Sequence, residues 1–78
     1  MKQILIINNS KTSIEVGSNY LIFKTDTQET VIGYRYIKEL HLNKLINISV
    51  SNCLKLANCF DLFFIDRYGN ILAKVVPL

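Results

Sequence analysis

Leu62-Phe63-Phe64-Ile65 sets large apolar side chains at four consecutive positions, and strand alternation sends two to each face, so the run needs cover on both sides. It predicts a central strand. Ahead of it, Ser49 fits a helix N-cap, its hydroxyl able to accept from a first-turn N–H, and Val50, Cys53, Leu54 and Ala57 follow at helical spacing. One helix is expected over residues 49–59, with Ser51, Asn52, Lys55 and Asn58 on its wet face. Beyond the run, residues 66–70 read as a turn in which Gly69 can take positive φ. Residues 71–76 return as a strand that Pro77 ends.

The first half reads as strands. Ile4 to Ile7 is a short apolar run that suits a strand buried on both faces, and Asn8-Asn9-Ser10 turns the chain. Residues 13–16 and 20–25 are β-prone segments joined by Gly17-Ser18-Asn19, a hairpin loop expected to use positive φ. Residues 30–36 resume with Val31, Ile32, Tyr34 and Tyr36. In residues 38–43 Leu40 and Leu42 alternate with Glu39 and His41, as in a strand with one wet face, and Ile46 and Ile48 flank a further short extended piece. The fold class predicted is α+β and mostly β: a small β-sandwich or meander of short strands with one helix packed on it. Ile4, Ile6, Leu54, Phe63, Phe64 and Ile65 are the expected core.

With 78 residues, the chain has room for one domain (1–78) and one core. Half of it is hydrophobic and only 19% is charged, which excludes disorder and leaves apolar surface for an interface, so a homodimer or a partner domain is expected. The net charge of +3 is compatible with nucleic acid, but the nine Lys and Arg are scattered singly. No window approaches the roughly 20 consecutive apolar residues of a membrane span, and the first apolar run is too short for a signal peptide. No membrane association and a cytoplasmic location are expected.

Residues that could carry chemistry are few. Glu39 and His41 leave the same face of a strand, yet a zinc site takes about three or four protein ligands, so a solvated strand face accounts for them. Asp61 and Asp66 flank the central run and fit connection and turn positions. Cys53 and Cys59 lie six apart, turn to different faces of the helix and read as small buried hydrophobes. No catalytic and no metal-binding residue is assigned. Arg35, between Tyr34 and Tyr36, and Arg67-Tyr68, at a hairpin tip, are the candidate nucleic-acid contacts, because a guanidinium reaches phosphate and a ring stacks on a base. On a strand Arg35 would face away from both tyrosines. Packing and turn roles would also account for all of these residues.

The order of a β-rich first half, the entry Ile48-Ser49-Val50-Ser51 into a helix, and Leu62-Phe63-Phe64-Ile65-Asp66-Arg67-Tyr68-Gly69-Asn70-Ile71-Leu72-Ala73 resembles the N-terminal β-domain of the CRISPR-associated adaptation integrase. Leu21-Ile22-Phe23-Lys24 and residues 37–42 share in the resemblance, which covers most of the chain. It implies a domain of a metal-dependent DNA endonuclease and integrase that inserts spacers in antiviral defence. It implies further that Mg or Mn is held by Glu, His and Asp of a separate helical domain, so no cofactor is expected in this chain. In that family the β-domain builds the homodimer and helps cradle double-stranded DNA, and a second CRISPR adaptation protein would bind through the helical domain. The end at Pro77-Leu78 is then expected to be a domain edge.

Three functions follow from these readings. The first is a dimerising, accessory DNA-contacting domain without catalysis. The second is a stand-alone β-rich protein-interaction module that adds a strand to a partner through an exposed edge. A small enzyme has the least behind it, since the single His leaves no base for a Ser or Cys nucleophile.

Overall fold

The computed structural model describes residues 1–77 and holds seven strands and one α-helix. The strands are β1 (Gln3–Ile7), β2 (Ser13–Val16), β3 (Tyr20–Lys24), β4 (Glu29–Gly33), β5 (Ile37–Asn43), β6 (Asp61–Ile65) and β7 (Ile71–Val75), with α1 (Val50–Ala57) between β5 and β6. They form a four-stranded sheet in the order β1-β5-β6-β7 and a three-stranded antiparallel sheet in the order β2-β3-β4. The mostly-β α+β fold with one helix is therefore the one the sequence predicts.

The pairing directions go beyond a meander. β1, β5 and β6 run parallel, and only β7 returns antiparallel. Parallel neighbours need a crossover, and the chain builds two: the small sheet joins β1 to β5, and α1 joins β5 to β6. Leu21 and Phe23 of β3, Leu40 and Leu42 of β5, Leu62 of β6, and Cys53 and Leu56 of α1 meet in one buried cluster, closed by Ile37, Ile46 and Phe60. Leu40 and Leu62 are in register across β5 and β6, so the helix and the small sheet cover the same face of the large one.

The opposite face has no second layer among the described residues, and here several core expectations fail. Ile4 and Ile6 are 51% and 60% exposed, because β1 is an edge strand whose Leu5 and Ile7 take the inward positions. Phe63 is half-buried on that open face, covered by its neighbours His41 and Lys74 rather than by strands on the far side of β6. Phe64 is half-buried against the core and Ile65 is fully buried.

Ser49 caps α1 as expected, its Oγ accepting from Asn52 N at 3.1 Å, and the helix closes at Asn58. Its buried stripe is turned from the one expected. Leu56 is fully buried beside Cys53, whereas Leu54 is 41% exposed and Val50 is exposed too, because the helix meets the sheet through positions 53, 56 and 57. Cys59, expected to be buried, is exposed past the helix end with its Sγ on the Lys55 carbonyl oxygen, while burial raises the thiol pKa of Cys53.

The hairpin β2–β3 forms where expected, but no residue of its loop has positive φ; among the described residues only Gly69, at +87°, does. Gly17 instead admits the Tyr20 ring, which would lie 2.7 Å from an added Cβ. Tyr34-Arg35-Tyr36 is a single 3-10 turn and not the end of a strand. Gly33 ends β4, and the turn is held by Tyr34 N donating to Asn19 O at 3.0 Å. Ile46 is buried in a loop and not in an extended strand.

Candidate nucleic-acid interface

Because β1, β5 and β6 run in one direction, their carboxyl ends and the loops after them gather at one edge of the large sheet. Asn8, Asn43 to Leu45, and Asp66 to Tyr68 meet there. Asn43, almost fully buried, is the joint: its Nδ2 donates to Asn8 O at 3.1 Å and to Asn8 Oδ1 at 3.0 Å, and its Oδ1 accepts from Leu45 N at 2.9 Å. Asn8 Nδ2 in turn donates to Arg67 O at 2.8 Å, and Lys44 N to Ile65 O at 2.9 Å. The polar groups that these loops would otherwise leave without partners are thereby satisfied.

The hairpin tip after β6 is built by Asp66. Its Oδ1 accepts from Tyr68 N at 2.9 Å and Asn70 N at 3.0 Å, and its Oδ2 from Asn70 Nδ2 at 3.0 Å. These bonds, those from Asn70 first, hold the Asp66 carboxyl below the ordinary Asp range, with the charge of Lys44 adding to them. Gly69 takes the left-handed conformation that lets Asp66 N donate to Asn70 O at 3.0 Å.

Beside the Asp66 carboxylate, the tip offers a ligand positive charge and a ring. Arg67 Cζ lies 4.8 Å from the centre of the Tyr68 ring, and Arg67 Nη2 donates to the Tyr68 hydroxyl. Tyr68 is 73% exposed. A depression of about 220 Å³ is lined by Asn43, Lys44, Leu45, Asp66, Arg67 and Tyr68. Lys44 and Arg67 can each take a phosphate oxygen, and the Tyr68 ring offers a stacking face.

Arg67 and Tyr68 are thus brought together, and Lys44, which no sequence motif singles out, joins them. Its signal, a Lys directly after an alternating strand, has meaning only once β5 and β6 are known to be parallel. Arg35 is separate: it precedes the start of β5 while Lys44 follows its end, roughly 20 Å away at the rise of a strand. Its guanidinium lies over the Tyr36 ring at 5.4 Å.

Glu39 and His41 form a pair on the open sheet face, with His41 Nε2 2.8 Å from Glu39 Oε1 and the imidazole tilted over the Phe63 ring at 5.0 Å. Asp61 pairs with Lys74 at 3.5 Å, at the other end of β6 from Asp66. No group of three His, Cys, Asp or Glu able to hold a metal ion occurs among the described residues. The Glu39–His41 pair therefore does not fit the Mg or Mn that the resemblance implies for its family. No described helix is long and apolar enough to cross a membrane.

No protein-family model matches the sequence, and no curated protein does. Solved structures match over almost all of it. One is a partial Cas6-RT-Cas1–Cas2 complex, with a TM-score of 0.79 at 20% identity over 100% of this chain and 24% of that one. A CAS1 protein from Thermotoga maritima gives 0.74 at 12% identity over 96% of this chain and 25% of its own. A casposase bound to integration product gives 0.65 at 20% identity, over 99% and 24%. The chain spans about a quarter of the length of these structures. At such identities the likeness is one of fold, and that fold, shared with Cas1 proteins and a casposase, is the one the resemblance to a CRISPR adaptation integrase implies.

Proposed function

We propose that this chain is a DNA-contacting, dimer-forming accessory domain of a CRISPR adaptation integrase, and that it supplies binding surface and not the metal-dependent chemistry. The observation that carries the reading is the fold likeness over the whole chain to Cas1 proteins, one of them in a complex with Cas2. Lys44, Arg67 and Tyr68, gathered at one sheet edge, support the DNA contact, the two cations outweighing the single Asp66 carboxylate beside them. The exposed Ile4 and Ile6, side by side on one face of β1, support an association surface.

The test is a fluorescence-anisotropy titration of a labelled DNA duplex over a series of salt concentrations. Affinity should fall linearly on a log–log plot, with a slope set by the phosphates contacted. Light scattering on the same samples should report a dimer. Absence of duplex binding at low salt would remove the DNA contact, and a monomer at high concentration would remove the dimer.

A further inference from the structure

β1 is hydrogen-bonded to β5 along one edge and to no described strand along the other, and no described turn or loop supplies partners to that free edge. Edge strands in soluble proteins are ordinarily guarded by a charge, a proline or a bulge. Residues 3–7 carry no charge and no proline, and the one register irregularity with β5 is confined to Gln3 and Ile4, leaving Leu5 to Ile7 regular. A cavity of about 210 Å³ adjoins the same strand, between β1 and the β3–β4 hairpin. Leu5, Ile7, Phe23 and Ile32 line it together with three threonines and Gln28. No charged side chain lines it.

We propose that the free edge of β1 and this cavity together form a docking site for an extended, uncharged polypeptide segment, which adds to β1 as a strand and places one aliphatic side chain in the cavity. Unpaired strand N–H and C=O groups are matched by another extended backbone, and the adjoining pocket then selects the side chain. An edge and a cavity lining without charge offer nothing to a charged segment, whose desolvation would go uncompensated.

A second copy fits this site poorly. Leu5 and Ile7 of such a copy are packed against its own core and cannot enter the cavity of its neighbour. Pairing through one five-residue strand also falls short of the roughly 800 Å² per partner that a standard stable interface buries. A free segment escapes the first restriction, and the side chain it places in the cavity adds to the area that strand pairing alone buries. The site uses none of Lys44, Arg67 and Tyr68, so it stands whether or not the chain contacts DNA.

The probe is a capped synthetic peptide with a central leucine between paired threonines, titrated into isotope-labelled protein and followed by NMR. Saturable shifts are expected at the backbone amides of residues 3–7 and at the methyls of Leu5, Ile7 and Ile32. Methylating peptide nitrogens to block strand pairing should weaken binding by about tenfold or more, as losing a hydrogen bond does. Aspartate in place of the leucine should abolish it. Thr30→Trp, which fills the cavity mouth, should remove binding from a protein that still folds; if that variant does not fold, Gln28→Trp serves the same purpose. The proposal is overturned if peptides centred on leucine, isoleucine, valine and phenylalanine all fail to give saturable shifts. It is overturned equally if the shifts map elsewhere, if the methylated peptide binds as well, or if the β1 shifts follow protein concentration and so identify a second copy as occupant.

Discussion

The Tyr34 hydroxyl donates to the backbone carbonyl of Gly17, tying the 3-10 turn after β4 to the loop that joins β2 and β3. The same ring packs edge-on against Phe60 at 5.9 Å, where α1 hands over to β6. Tyr34 thereby links the small sheet to the large one. Tyr34→Phe keeps the ring and removes the bond, and should lower unfolding free energy by about 1 kcal/mol. The urea midpoint should fall while the slope of the transition stays unchanged.

The helix register gives a sharper contrast. Leu56→Ala opens a cavity in the centre of the core and should cost about 2–5 kcal/mol. Leu54→Ala, on the partly exposed side of the same helix, should cost well under half of that. Equilibrium unfolding of both variants checks the orientation of α1, and equal losses would contradict it.

Ser49→Ala removes the acceptor for Asn52 N and should cost about 1 kcal/mol. Ser49→Asp restores an acceptor and adds negative charge at the positive end of the helix, so it should recover most of the loss. Thermal unfolding followed by far-UV circular dichroism measures both.

Asp66 predicts a pH dependence. Its carboxyl titrates lower in the folded chain than its ordinary 3.8, so the ionised form is the one that folding favours. The stabilisation is fully present above that ordinary value and is lost as pH falls from it through the lowered folded value. Asp66→Asn should therefore lose less stability than the wild type between about pH 5 and about pH 2. Urea midpoints across that range provide the comparison.

For the nucleic-acid surface, Arg67→Ala and Lys44→Ala should each weaken duplex binding at low salt and reduce the salt slope by about one. Arg35→Ala should leave both nearly unchanged, since Arg35 stands at the other end of β5. Anisotropy titrations at several salt concentrations separate the three.

Strand positions, the helix with its cap and the Gly69 turn were legible because each rests on local chemistry: alternation, a hydroxyl acceptor, freedom at φ. What a strand faces is set by its neighbours, and that was not legible. Ile4 and Ile6 read as core because a four-residue apolar run carries no mark that separates an edge strand from a central one. Leu56 was missed because Val50, Cys53, Leu54 and Ala57 make an equally good stripe, and only the position of β6 selects between them. Lys44 entered the candidate site through parallel pairing, which no adjacent residues encode. Arg35 left it because it precedes β5 whereas Lys44 follows it.

The pairing of β1 with β5 has a consequence for the order of events as the chain is made. Gln3 has to wait for Ile37 and its neighbours before it can pair, whereas β2, β3 and β4 find their partners within a few residues of turn. Long closures are slow because the entropy of ordering the intervening chain is spent before any contact repays it. The three-stranded sheet is therefore the unit able to form first. Residues 3–7, the most apolar segment of the first half, stay unpaired through the early part of synthesis, the interval in which an added strand from elsewhere would compete with β5 for them.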